Sequence, residues 1–391
     1  MSKRSRGIFQ TLDGGDMSEK LRVLIVDDAT FMRKALTQIL EDSEIEVVDS
    51  AQNGLEALHK IKTISPDIIT LDIDMPIMDG LSAIRHIMIE MPIPIVVLSS
   101  LIHNGAITFE ALRLGVVDFI PKPSGAISSN VDRVKQRIID RIKVAHRVNL
   151  ENLRRVRLAK RDKSETESSR VRQSRPPEYI VVLGTTLTGP NTIIRLLSQL
   201  SVAIPASVVV VQEISPKILP SFAERFNQYV PWEVEVAQHG TVLRQGTCYI
   251  SSNEYSLALQ ANEKDKACFL LGDGIGQPLN LLFSSAAEVF HGKAVGVLLT
   301  GIGEDGAEGF AKIQEERGVT IVEDTQCCVY PNLVDNAIRR GVVDRTIAEN
   351  GLPGAIESVV SHPSGSAGQT GHPREESKKE FPSNLGRNTT P

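Results

Sequence analysis

The chain has 391 residues, a net charge of −5 and 41% hydrophobic residues, which is enough apolar material for two or three ordinary domains. The slightly acidic charge argues against nucleic acid or an anionic membrane as a partner. The four cysteines show neither metal-ligand spacing nor a secreted disulfide pattern, and no apolar run approaches the roughly 20 residues of a membrane helix. We therefore expect a cytoplasmic protein without membrane insertion.

The chain begins with a segment that lacks an apolar signal core, so residues 1–19 are expected to be a disordered extension, with Met17 as an alternative start. Residues 20–128 then alternate apolar strand patterns with amphipathic helix patterns. This spacing predicts one doubly wound parallel sheet. Its strands are expected near Leu21, Glu46, Asp67, Ile93 and Val116.

Residues 129–177 are predicted to form a basic helix followed by a linker. Between 133 and 175, Lys and Arg outnumber Asp and Glu by about three to one. Residues 162–177 are rich in Ser, Arg and Pro and have no apolar period, which is typical of an exposed linker. The basic face is either a solvated helix surface or a docking surface for an acidic partner.

A second α/β unit is predicted over residues 178–350, where apolar runs again alternate with helical stretches. These runs predict a second parallel sheet. They lie at 178–184, 208–212, 248–251, 268–271, 295–300 and 319–323. Residues 361–391 have no periodic apolar positions and are expected to be a disordered tail.

Acidic residues stand where the strands of the first domain end. Asp27 and Asp28 follow the first strand, Asp72 follows the third, and Lys122 follows the fifth. Ligands bind at this edge of an open α/β sheet. These groups predict a hard-oxygen pocket for one divalent cation, with a carboxylate left to react, as an aspartyl phosphate requires.

These residues resemble the receiver domain of two-component response regulators, with a flavodoxin-like fold. The likeness rests on Asp27-Asp28, the Leu-Asp-Ile-Asp-Met-Pro run at 71–76, Met78-Asp79-Gly80, Ser99 and Lys122-Pro123. It implies that Asp72 accepts a phosphoryl group from a histidine kinase. It further implies that Mg²⁺ is bound by Asp27, Asp28, Asp72 and the Asp74 carbonyl. Ser99 and Lys122 would contact the phosphoryl group, and Phe119 would be the switch aromatic.

The order of receiver, linker and second α/β domain resembles the chemotaxis protein-glutamate methylesterase family, CheB. The likeness is carried by Ser-Phe-Ala-Glu-Arg-Phe at 221–226 and Leu-Leu-Thr-Gly-Ile-Gly-Glu-Asp-Gly at 298–306. It implies a Rossmann-like second domain that needs no cofactor. It also implies hydrolysis of methyl esters and deamidation of glutamines on methyl-accepting chemoreceptors, controlled by receiver phosphorylation.

Two of the three catalytic residues of that family are replaced here. The family's Gly-Ala-Ser-Thr-Gly-Gly turn reads Gly-Thr-Thr-Leu-Thr-Gly over 184–189, so Thr186 takes the serine's place. Glu213 follows Gln212 where the family has its histidine, and Asp305 matches the aspartate. A carboxylate of ordinary pKa is a weak base for a hydroxyl, and losing serine or histidine from such a triad costs on the order of a millionfold in rate.

Two interpretations of the second domain follow. In one, Thr186, Glu213 and Asp305 form a slow esterase or deamidase, assisted by backbone donors where a helix begins near Gly189. In the other, the domain performs no hydrolysis and receiver phosphorylation controls its binding to chemoreceptors. A different hydrolase on the same scaffold is a further alternative.

A competing enzyme class is suggested by a glycine motif. Residues 301–306 read Gly-Ile-Gly-Glu-Asp-Gly after a predicted strand, with Glu323 about 20 residues on, which matches a dinucleotide-binding fingerprint. However, Glu304 and Asp305 would place negative charge where a pyrophosphate needs positive potential.

Overall fold

The structure is a computed structural model, and it describes residues 20–41, 44–99, 105–123, 131–153, 175–274 and 276–361. The predicted disordered extension and, apart from Ser361, the predicted tail lie outside these residues. Residues 154–174 of the predicted linker lie outside them as well. The described residues form two α/β domains, each built on a parallel sheet.

The first domain alternates strands and helices along the chain. Its strands are β1 (Leu21–Val26), β2 (Ile45–Ala51), β3 (Ile68–Leu71), β4 (Ile95–Ser99) and β5 (Asp118–Pro121). Its helices are α1 (Thr30–Leu40), α2 (Gly54–Ile64), α3 (Gly80–Glu90), α4 (Gly105–Leu114) and α5 (Val131–His146). The strand order is β2-β1-β3-β4-β5 with all pairs parallel, which confirms the predicted flavodoxin-like fold.

Local sequence accounts for the regularity of this domain. Strands β3 and β4 are buried along their whole length, as apolar runs covered by helices on both faces must be. The side chain of Asn53 accepts a hydrogen bond from the Glu56 backbone, and Asp79 accepts one from the Ser82 backbone. These two caps define where α2 and α3 begin.

The second domain is a larger parallel sheet with helices packed on it. Its strands are β6 (Tyr179–Gly184), β7 (Ala206–Gln212), β8 (Glu233–Val236), β9 (Thr247–Ser252), β10 (Tyr255–Ala261), β11 (Ala267–Asp273), β12 (Ala294–Leu298), β13 (Val319–Glu323) and β14 (Arg345–Ile347). Its helices are α6 (Gly189–Gln199), α7 (Leu219–Phe226), α8 (Pro278–Phe290), α9 (Ala307–Glu315), α10 (Asn332–Arg339) and α11 (Leu352–Ser361). The sheet order is β14-β13-β12-β6-β7-β9-β8. The order reverses between β6 and β12, as in a Rossmann-like sheet, so a crevice is expected where these two strands end.

Two features of the second domain differ from the sequence prediction. The apolar run at 268–271 lies in β11, which pairs antiparallel with β10 in a separate two-stranded sheet rather than joining the parallel one. Helix α11 lies beyond the predicted boundary at residue 350. Its Leu352, Ile356 and Val360 are buried in the same core as the β-strands, because they recur on one helix face.

The two domains contact each other through helices α4 and α7. The Phe109 ring of α4 lies 5.4 Å from the Phe222 ring and 5.3 Å from the Tyr229 ring. A Cβ at Gly105 would lie 2.4 Å from the Phe222 backbone nitrogen, so the approach requires glycine there. The first domain therefore covers one end of the second domain's sheet.

Candidate functional site

Three carboxylates converge at the edge of the first sheet where its strands end. Asp27 and Asp28 follow β1 and Asp72 follows β3, and one oxygen of each lies within 4.8 Å of the others. Asp27 and Asp72 are buried, whereas Asp28 is exposed. Carboxylate oxygens are the ligands that Mg²⁺ prefers, and a single nearby ammonium leaves the group net negative. The residues present therefore fit a divalent cation.

The ammonium group belongs to Lys122, which follows β5. Its Nζ lies 2.6 Å from Asp72 Oδ2 and 2.7 Å from Asp27 Oδ2. Burial raises the pKa of the Asp72 carboxyl above its ordinary value, although Lys122 opposes the shift. Burial also works to lower the pKa of Lys122, but the two carboxylates outweigh it and raise that pKa. Lys122 is therefore held charged beside the predicted phosphoryl acceptor.

The other predicted residues of this site occupy the same edge. Asp74 lies in the loop after β3 with an exposed side chain outside the three-carboxylate group, and its expected contribution is the backbone carbonyl. Ser99 ends β4 and is buried, and its carbonyl accepts a hydrogen bond of 3.1 Å from the Lys122 backbone. Phe119 lies on β5, is half-buried and faces a cavity between the domains.

Sequence reasoning missed one residue of this site. Arg33 on α1 donates from Nη1 to the backbone carbonyls of Asp27, at 2.8 Å, and Asp28, at 3.0 Å. The guanidinium thus ties the acidic loop to the first turns of α1. An arginine five positions after the Asp-Asp pair, on one face of a predicted helix, is the signal that could have identified it.

In the second domain, Thr186 lies in the loop after β6, at the crevice between β6 and β12. Its Oγ1 accepts a hydrogen bond of 2.6 Å from the Ile302 backbone and donates one of 3.1 Å to the Ile302 carbonyl. A Cβ at Gly301 would lie 2.5 Å from this hydroxyl, so glycine is needed for the close approach. The hydroxyl is therefore bonded to the neighbouring loop.

Glu213 follows β7, and its carboxylate is bonded to the first domain. Its Oε1 lies 2.7 Å from Nη2 of Arg141 on α5. Nε of the same arginine lies 2.7 Å from Oδ2 of Asp118, at the start of β5. Burial raises the pKa of Asp118, and Arg141 opposes that shift. The Glu213 carboxylate is therefore engaged by a guanidinium of the first domain.

Asp305 lies in the loop that begins α9, where its carboxylate caps another helix. Its Oδ2 accepts from the Leu279 backbone at 2.8 Å and its Oδ1 from the Asn280 backbone at 2.9 Å. Both donors belong to the first turn of α8, whose free N–H groups favour an anion. Burial raises the pKa of Asp305, and these N–H groups oppose the shift.

The structure brings two of the three predicted catalytic positions to one cavity. A cavity of about 430 Å³ between the domains is lined by Thr186 and Glu213, together with Phe119 and Arg141 of the first domain. Asp305 is not among its described lining residues. Within the described chain, the hydrogen-bond and ion-pair partners of Thr186, Glu213 and Asp305 do not include one another. The three positions do not form a connected relay.

In the glycine motif at 301–306, the N–H groups of Gly303 and Gly306 are engaged by asparagine side chains. The Gly303 N–H donates to Asn332 Oδ1 and the Gly306 N–H to Asn280 Oδ1, both at 2.8 Å. Glu323 is buried and accepts a hydrogen bond of 2.9 Å from the Thr300 backbone. Its burial raises the pKa of Glu323 to about 7. These contacts give no support to a dinucleotide site.

Among the helices of the described residues, none is both long enough and apolar enough to cross a bilayer.

Comparisons with known proteins match both domains. The family model described as response regulator receiver domain matches residues 23–131, and the model described as CheB methylesterase matches residues 181–356. A protein-glutamate methylesterase/protein-glutamine glutaminase of Pyrococcus horikoshii is 33% identical over 357 residues, covering 88% of this chain and 95% of the relative. A protein of the same name from Caldanaerobacter subterraneus subsp. tengcongensis is 35% identical over 339 residues, covering 83% of this chain and 92% of the relative.

Proposed function

The chain belongs to the CheB methylesterase family of chemotaxis response regulators, and from that premise we propose a cytoplasmic, phosphorylation-controlled binding protein. Its receiver accepts a phosphoryl group from a chemotaxis histidine kinase at Asp72. Its methylesterase-type domain binds methyl-accepting chemoreceptors but does not hydrolyse their glutamate esters or glutamine amides. The observation that carries the proposal is the ion pair between Glu213 and Arg141 at 2.7 Å.

The acidic edge of the receiver supports phosphorylation. An oxygen of Asp72 forms the bond to phosphorus while the donor's bond to phosphorus breaks, and Lys122 at 2.6 Å is placed to pair with the added phosphoryl charge. Mg²⁺ bound by Asp27, Asp28 and Asp72, with the Asp74 carbonyl, would supply neutralisation of the phosphoryl oxygens. Ser99, at the end of β4, is proposed to donate its hydroxyl to the same group.

The contacts in the methylesterase-type domain support the absence of hydrolysis. A threonine hydroxyl needs a base near neutral pKa to become a nucleophile. The carboxylate at the histidine position is paired with Arg141, and Asp305 caps α8 instead of orienting a base. The chain keeps the fold of the family, and the described contacts do not join the three positions into a connected set of catalytic groups.

The direct test is an assay on methylated chemoreceptors. The full chain is incubated with acetyl phosphate and Mg²⁺, methanol release is measured, and receptor peptides are examined by mass spectrometry for conversion of glutamine to glutamate. We expect no methanol release above that of a protein-free control. We also expect receptor binding that depends on phosphorylation and that Asp72→Asn abolishes. Methanol release that depends on Thr186 would overturn the proposal.

A slow hydrolase is the second candidate, and one observation favours it. Thr186 and Glu213 line the same cavity, so a hydroxyl and a carboxylate could reach one substrate there. If Glu213 leaves Arg141 when the domains separate, its carboxylate becomes available to a substrate in this cavity. A Thr186→Ala variant measured in the same assay distinguishes this candidate from background hydrolysis.

A further inference from the structure

One arginine joins the two domains because it pairs with one carboxylate from each of them. Arg141 of α5 lies 2.7 Å from Asp118 of the receiver and 2.7 Å from Glu213 of the methylesterase-type domain. The side chains of Arg141 and Asp118 are 16% and 9% exposed, and that of Glu213 is 25% exposed. Ion pairs shielded to this degree are screened less by salt than surface pairs are.

The carboxylate of Glu213 is what makes this an interdomain contact. The Asp118 pair lies entirely within the receiver, so it would persist if the domains separated. The Glu213 pair spans from the end of β7 to α5 and can exist only while the domains are docked. A residue without a negative charge at 213 would leave Arg141 with its receiver partner alone.

We propose that Glu213 is an interdomain clamp residue: its carboxylate holds Arg141 so that the receiver stays docked over Thr186. In this chain, the residue at the catalytic histidine's position fastens the closed arrangement. The clamp goes beyond the proposed function, since it requires neither hydrolysis nor receptor binding. It acts beside a second contact, in which Glu110 of α4 pairs with Arg225 of α7 at 2.7 Å.

The test uses amide hydrogen exchange on the full unphosphorylated chain, read at α4 and α7. Glu213→Gln keeps the shape of the side chain and leaves Arg141 paired with Asp118, so the receiver should stay folded. We expect about 10- to 100-fold faster exchange at the docked faces of both helices, with core strands unchanged. Lys293→Gln is the matched control, because it removes a 2.9 Å pair with Glu178 inside the second domain.

A double-mutant cycle separates the clamp from general loosening. If the Glu213–Arg141 pair holds the domains together, the double variant Arg141→Gln and Glu213→Gln should show exchange at α4 and α7 no faster than that of the faster single variant. Additive effects would overturn the clamp. So would wild-type exchange in Glu213→Gln.

Receptor binding and methanol release, measured separately, report on the proposed function alone.

Discussion

The two domains present acidic residues at equivalent sheet edges and use them differently. In the receiver, Asp27, Asp28 and Asp72 lie with ligand oxygens within 4.8 Å of one another, and Lys122 joins two of them. In the second domain, Glu213 pairs across the domain boundary and Asp305 caps a helix. Carboxylates that gather beside a cation are typical of a reactive site. Carboxylates that each bind a separate partner are typical of a structural role.

The largest expected effect tests the receiver side of this comparison. Asp72→Asn removes the nucleophilic oxygen and should abolish labelling by acetyl phosphate. Asp74→Asn is the matched control, because the proposed ligand there is the backbone carbonyl and its side chain is exposed. Labelling is followed by intact-protein mass spectrometry. A fully labelled Asp72→Asn protein would refute the assignment.

The next prediction concerns the two positions of the second domain that are predicted to match the family's serine and histidine. Thr186→Ser combined with Glu213→His introduces a less hindered primary hydroxyl and an imidazole base. A positioned base contributes about 10²- to 10⁴-fold, so methanol release from methylated receptors should rise by that order above the background rate, which the wild type is expected not to exceed. Each single change should give much less, because nucleophile and base act as a unit. Equal rates in wild type and double variant would show that other contacts limit the reaction.

A pH prediction tests the buried acid of the second sheet. Burial raises the pKa of Glu323 from 4.5 to about 7. The folded state therefore binds this proton more tightly than the unfolded state does. The protonated carboxyl contributes fully to the unfolding free energy below pH 4.5, and this contribution is lost as the pH rises through 7. Relative to Glu323→Gln, the wild type should lose on the order of 3 kcal/mol of unfolding free energy between pH 4 and 8.

Urea unfolding at each pH measures this difference. The exposed Glu263→Gln is the control and should parallel the wild type. A constant difference between wild type and Glu323→Gln across the range would contradict a buried, neutral carboxyl at 323.

The smallest predicted effect separates capping from catalysis at Asp305. Asp305→Ala leaves two backbone donors of α8 without their acceptor and should lower the unfolding free energy by about 1 kcal/mol. Asp305→Asn keeps one acceptor oxygen and should lose less. Urea midpoints of the two variants measure the difference. No loss in the alanine variant would exclude the capping role.

Much of the fold was predictable because its signals are local. The strands of the receiver fall on the apolar runs near Leu21, Glu46, Asp67, Ile93 and Val116. The acids that end them could be placed at one edge because parallel strands share the direction of their carboxyl ends. The β10–β11 hairpin was mistaken for part of the parallel sheet because an apolar run carries no information about its pairing partner.

The amino-acid sequence by itself determined the two α/β domains and the acidic edge of the receiver, and it predicted Thr186 and Glu213 at two catalytic positions of the family. Only the tertiary structure decided what those two residues contact. Glu213 is bonded to Arg141, 72 positions earlier, and Thr186 to Ile302, 116 positions later. Partners so distant are brought together by domain and strand packing, because hydrogen bonds and ion pairs act over a few ångströms and depend on the folded arrangement.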